Sequence, residues 1–260
     1  QTATAMMGLE RLGLNTAYAG RLGSDYEGQF GLATLDNEGV NIDHVQVVEG
    51  SATQLAFIII DVRTGERTIV WDRDERLAYS PSDAPRDFGS QGRVLHLDAH
   101  DPPACVHVAK DARQAGTIVS ADIDNVYPGL PELLPYIDIL LGSKEFPGRV
   151  TGIADERAAL VELQNRFGSK IVGMTLGDQG AVVYCDGQFL ESPAYQAPGG
   201  CKDTTGAGDA FRGGFLYGLL KGDDIETSMK LGNAVAAMKG SALGARLGLP
   251  TKQQLDDFLT

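Results

Sequence analysis

CKDTTGAGDAFRGGF, residues 201–215, sets a glycine-rich turn, Gly206-Ala207-Gly208, directly against an acid, Asp209. Polar residues precede the turn. After it Ala210, Phe211, Phe215, Leu216 and Leu219 recur at helical spacing, which predicts a helix over 207–220. The glycines therefore stand at a helix N-terminus, where unpaired backbone N–H groups and the helix dipole attract an anion. Glycine lets phosphate oxygens approach the backbone with no side chain in the way. An acid in the first helical turn is in itself a favourable partner for the dipole. Beside an anion hole it has a second use: it can accept the proton of a hydroxyl that attacks a bound phosphoryl group. Position outweighs basicity in such a step, because the hydroxyl proton grows acidic as its oxygen bonds phosphorus.

The chain of 260 residues is long enough for one large domain and a sizeable core. Its formal net charge of −13 argues against nucleic acid and anionic membrane as partners, since both want a basic surface. A small anion in a local electropositive pocket remains compatible with that charge. Cys105, Cys185 and Cys201 are odd in number and widely spaced, so they suggest neither a disulfide framework nor a zinc knuckle. No apolar run reaches the ~18–20 residues of a membrane span, and no signal peptide opens the chain. A reducing cytoplasm is the expected compartment. The opening QTATAMMGLERLG reads as a helix with neither strand nor cap before it, which suggests a missing front strand.

Apolar runs alternate with amphipathic stretches, the pattern of an α/β protein with a largely parallel sheet. Strands are expected at 16–21, 93–97, 117–121, 137–141 and 171–175, and helices at 26–37, 103–115 and 155–167. Residues 52–71 break this rhythm with two β-rich runs around a Gly65-containing turn at 62–66. That inserted hairpin reads as a lid over a site or as an edge decoration, and its bare edge invites pairing with a second subunit. A further hairpin is expected at 182–190 around Asp186-Gly187, then helices at 225–243 and 251–259.

The run Asp203-Thr204-Thr205-Gly206-Ala207-Gly208-Asp209-Ala210-Phe211 resembles the signature D-T-x-G-A-G-D-x-F of the ribokinase-like (PfkB) carbohydrate kinases. Arg11-Leu12-Gly13, then Gly20-Arg21-Leu22-Gly23-Ser24-Asp25 with Gly28, then Gly39-Val40 are similar to the family's N-terminal pattern. Thr175-Leu176-Gly177-Asp178-Gln179-Gly180 resembles its T-x-G-x-x-G turn beside the nucleotide, and Asn233-Ala234 its adenine-side helix. The resemblance covers essentially the whole chain, in order. It implies a single three-layer α/β domain with a small β lid, and transfer of the ATP γ-phosphoryl group to a hydroxyl of a sugar or polyol with Mg2+. Asp209 would then be the base, with Gly206, Ala207 and Gly208 holding the phosphoryl group. Thr175, Gly177, Gly180 and Asn233 would border ATP; a plain hairpin turn and a helix-surface asparagine are the alternatives. Asp203 and Thr205 would help to hold a monovalent cation such as K+. A homodimer through the lid is a further implication. A nucleoside kinase of the same family and a catalytically silent sugar or nucleotide sensor are the competing readings.

Departures from the family pattern bear on the substrate side. Counting back from Arg11-Leu12-Gly13 puts the family's two-glycine motif and its sugar-binding aspartate before Gln1. Thr4 falls where relatives often carry asparagine, as a weak substrate contact. The N-x-x-E motif linked to magnesium reads Gly142-Ser143-Lys144-Glu145, so Glu145 keeps the acid without the asparagine. Its Ser-Lys-acid order resembles the ketohexokinase and fructokinase branch. Glu145 is thus either a ligand to metal-bound water or a helix-cap acid. Asp122, in SADIDN at a strand end, either meets magnesium through water or caps a loop. In HLDAHD, Asp98 or His100 could face the substrate, and the spacing argues against a helical two-histidine metal site. Lys202 is a phosphate contact or a surface lysine. No GxxxxGK[ST], GxGxxG after the first strand, G-x-S-x-G or HExxH occurs.

Overall fold

The computed structural model describes residues 1–60 and 67–260. The chain begins with helix α1 (Thr2–Arg11), followed by β1 (Ala17–Gly23), α2 (Tyr26–Asn37) and β2 (Asn41–Val48). β1 and β2 pair in parallel as a two-stranded unit. Next comes the expected hairpin, β3 (Leu55–Ile60) and β4 (Arg67–Asp72), antiparallel with Phe57 opposite Val70. The turn expected at 62–66 lies outside the described residues.

The main sheet has the order β10-β9-β8-β7-β6-β5. Its strands are β5 (Val94–Leu97), β6 (Ile118–Ile123), β7 (Ile139–Ser143), β8 (Ile171–Thr175), β9 (Ala181–Cys185) and β10 (Gln188–Ser192). β5 to β8 run parallel, and the β9–β10 hairpin joins antiparallel. Seven α-helices complete the described chain: α3 (Pro102–Ala115), α4 (Leu130–Leu133), α5 (Phe146–Thr151), α6 (Glu156–Phe167), α7 (Ala207–Lys221), α8 (Ile225–Gly240) and α9 (Lys252–Leu259). None of the described helices is long and apolar enough to cross a membrane.

Side-chain alternation along the strands builds two cores, one on each face of the sheet. Ile139 and Leu141 of β7 face one way with Ile171, Ala181 and Val183, against Phe211, Phe215 and Val235 of α7 and α8. Leu140, between them, faces the other way with Val172, Met174 and Val182, against Ala109 of α3 and Leu160 of α6. Helix, sheet and helix thus form the three layers that the resemblance implied. The strand ends differ from the sequence reading by up to two residues, as helix and sheet ends usually do. β2 is an addition: Asn41, Asp43, His44 and Gln46 interrupt its apolar run and mask it in the sequence.

Candidate active site

Gly206 caps α7 in the left-handed region, at φ +76°, where a side chain is strained. A Cβ there would also meet Ala245 Cβ at 2.8 Å, so this turn needs glycine twice over. Ala207 commits its amide to the Thr204 carbonyl at 3.0 Å, and Ala210 bonds back to Gly206 at 2.9 Å. The amides of Gly206, Gly208 and Asp209 find no backbone acceptor among the described residues, and they are the ones left for an anion. The Ala207 amide, expected in that set, is spent on closing the turn.

The turn is tied down from both sides. Asp203 accepts from the amides of Thr205 and Gly244, each at 2.8 Å, and these bonds hold its carboxyl below the ordinary range against the upward push of burial. Lys239, buried in α8, donates to the Asp203 carbonyl at 2.6 Å. Asp203 is thus the anchor of the loop, and Thr205 lends it an amide. Lys202 is exposed, and its backbone amide donates to the Gly240 carbonyl at 2.8 Å.

Asp209 projects from the first turn of α7 with its side chain 15% exposed, and its Oδ2 lies 3.7 Å from the Gln1 amine. Gln1 in turn lines a cavity of about 890 Å³ shared with Thr2, Asp98, His100 and Arg73. Thr53, Gln54, Leu55 and Ala56, at the base of the β3–β4 hairpin, line the same cavity. Thr2 donates to Asp98 at 3.2 Å. Burial pushes the Asp98 carboxyl up, but His100 and the bonds from the His100 amide and Thr2 work against it, and the carboxyl lies below the ordinary range. Thr4 is buried and does not line the cavity, whereas Gln1 and Thr2 do. One residue along a helix turns a side chain by about 100°, so a step of two positions decides which threonine meets the cavity.

Asp122 is fully buried at the end of β6, with Arg212 Nη2 of α7 2.9 Å away. Sequence reasoning gave no signal for the arginine that faces it from 90 positions downstream. Glu145 is exposed and precedes α5 without making a cap bond, so its carboxylate is open to a ligand. Gly142 has no room for the asparagine that the pattern would carry: a Cβ would sit 2.7 Å from the Ile123 carbonyl and 2.8 Å from Phe146 Cδ1. His96 on β5 meets Ser120 at 3.1 Å, and burial followed by the Arg212 charge brings its pKa down to about 3. Among the described residues no group of three or more His, Cys, Asp or Glu side chains converges on a metal position.

The residues expected to border a nucleotide form a second cluster. Thr175 ends β8, and Gly177–Gln179 make a short 3-10 turn closed by Leu176 N bonding to the Gly180 carbonyl at 2.7 Å. Gly180 lies flat against β10, where a Cβ would be 2.0 Å from the Ser192 carbonyl. Asn233, buried in α8, donates to that same carbonyl and to the Ser192 hydroxyl, both at 3.0 Å. Gly180, Ser192 and Asn233 are therefore one packed unit, and Asn233 spends its amide nitrogen on holding β10.

The chain as a whole is similar to known proteins. The profile described as pfkB family carbohydrate kinase matches residues 1–252. An uncharacterized sugar kinase of Archaeoglobus fulgidus is 35% identical, covering 94% of this chain and 98% of that protein. A nucleoside kinase of Methanothermobacter thermautotrophicus is 27% identical over 92% of this chain and 77% of its own length. Among solved structures, Arabidopsis thaliana ribokinase complexed with ribose and ATP superposes with a TM-score of 0.86 at 25% identity, covering 99% of this chain and 86% of that one. Sheet order, glycine-capped α7 and the acid behind it thus agree with a match along nearly the whole sequence: the chain belongs to the pfkB family of carbohydrate kinases.

Proposed function

We propose that this kinase transfers the γ-phosphoryl group of ATP to a hydroxyl of a sugar or related small polyol, with Asp209 as the general base. The observation that carries the reading is the placement of the Asp209 side chain at a glycine-capped helix N-terminus beside three amides, its own among them, that have no backbone acceptor among the described residues. Those amides suit a phosphoryl group: they are donors fixed in advance, in a turn where two glycines leave the backbone bare. Bound ATP supplies the transferable group, and Mg2+ screens its charge. Gly177 and Gly180 would border the nucleotide, with Asn233 holding that wall in place, and Glu145 would meet the metal through water. A K+ ion at Asp203 and Thr205 belongs to the same reading.

The acceptor would enter the cavity lined by Gln1, Thr2 and Asp98, beneath the base of the β3–β4 hairpin. Asp98, ionised and partly shielded, suits a sugar hydroxyl as hydrogen-bond partner. Closure of the hairpin would exclude water and keep ATP from hydrolysis. The exposed apolar face of the hairpin would pair with a second subunit. A nucleoside acceptor is the second reading, favoured by the likeness to the nucleoside kinase of M. thermautotrophicus.

The test is ADP formation by the purified protein with ATP and Mg2+ across a panel of hexoses, pentoses, polyols and nucleosides. ADP release that depends on a sugar or polyol is the expected result. Release that depends only on a nucleoside selects the second reading, and release with no dependence on any acceptor overturns both.

A further inference from the structure

One turn beyond Asp209, in the part of α7 that packs on the sheet, stands an arginine. Arg212 is 2% exposed. Its Nη2 lies 2.9 Å from Asp122 Oδ1 and 3.7 Å from Asp124 Oδ1, and 3.4 Å from the Leu141 carbonyl in the middle of β7. Nη1 reaches back under the glycine turn, to 2.3 Å from where a Cβ on Gly208 would stand. The guanidinium therefore occupies the space beneath the first turn of α7, and Gly208 is bare on the side of the arginine.

The pair with Asp122 is not built as a stabilising fork. Arg212 Nε and both Asp122 oxygens lack a well-formed hydrogen bond, although all three are screened from solvent. A buried ion pair made that way is poor evidence for stability, since apolar residues of like volume commonly serve as well. Its location is the informative part. A whole positive charge sits below the amides that face an incoming anion, in a water-poor place where charge acts strongly. Asp122 faces the arginine as its acidic partner, its carboxyl pushed up by burial to about 8 and drawn back by the Arg212 charge, and the Leu141 contact ties the arginine to the middle of β7.

We propose that Arg212 is a positioning residue for phosphoryl transfer. Held by Asp122, it fixes the first turn of α7 against β6 and β7 and backs the amides of Gly206, Gly208 and Asp209 with positive charge. The inference rests on the kinase reading above, and it gives Asp122 a role inside the protein instead of at a metal.

The experiment compares wild type, Arg212→Lys and the double variant Arg212→Met/Asp122→Asn, which removes both buried charges together and leaves none unpaired. Expected for the double variant is a melting temperature near wild type, kcat lower by about 10²-fold, and a smaller change in KM for ATP. Arg212→Lys, which keeps a cation, should retain more of kcat. A folded double variant with wild-type kcat overturns the proposal, because a purely structural pair is then all that was lost. Should the double variant not fold, Arg212→Gln with unchanged kcat overturns it equally. If wild type phosphorylates no acceptor, the kinase reading falls, and the rise in melting temperature on adding ATP decides this inference alone. A smaller rise in the double variant supports it, and an equal rise overturns it.

Discussion

Thr53 donates to both carboxylate oxygens of Asp25, through its amide at 2.7 Å and its hydroxyl at 2.6 Å. Asp25 also caps α2 by accepting from the Gly28 amide at 2.9 Å, so one side chain joins a helix start to the base of the β3–β4 hairpin. The Thr53 hydroxyl and amide hold the Asp25 carboxyl below its ordinary range. A carboxyl depressed by folding contributes stability above its unfolded pKa and loses it as pH falls through the folded value. Asp25→Ala should therefore loosen the hairpin at neutral pH, and acid should do the same to wild type. Protease cleavage within the hairpin, followed against pH, checks both; equal cleavage of variant and wild type at pH 7 counts against the tie.

On the proposed mechanism Asp209→Asn would remove the proton acceptor and keep the shape of the first turn of α7. The expected loss in kcat is about 10²–10⁴-fold, with ATP affinity kept. Steady-state kinetics and ATP titration separate the two quantities. Near-normal turnover would remove Asp209 from the role of base.

Gly206→Ala places a Cβ at positive φ and against Ala245. The backbone alone should cost about 1–2 kcal/mol, read as a lower urea midpoint. Turnover should fall further than stability does, since the amides are displaced with the turn. A variant with wild-type midpoint and turnover would show that the turn tolerates a side chain.

The β3–β4 hairpin exposes Phe57 (69%), Ile59 (63%) and, opposite Phe57, Val70 (55%). A two-stranded sheet is marginal on its own, and apolar patches of this kind mark contact surfaces. Wild type is expected to sediment as a dimer and Phe57→Asp as a monomer. A wild type that stays monomeric at tens of micromolar protein would exclude pairing through this face.

Much of the site is legible along the sequence because its parts are local. Gly206, Ala207, Gly208 and Asp209 lie within one turn, and glycine followed by helical periodicity announces a capped helix. The alternation of short apolar runs likewise announces the parallel sheet. What escapes is non-local. Nothing near Arg212 signals Asp122, because their contact depends on how α7 settles over β6. Thr4 reads as a substrate contact from its position in a pattern, yet helical phase turns Thr2 to the cavity in its place. Gly142 reads as a lost ligand, and packing against Ile123 and Phe146 gives its reason.

The space beneath Gly208 is shared with the Arg212 guanidinium, which makes the two positions interdependent. A Cβ at 208 would stand 2.3 Å from Arg212 Nη1, so a side chain there forces the guanidinium to move. Gly208→Ala and a shortened side chain at 212 should therefore be non-additive when combined, because the second change removes the clash that the first creates.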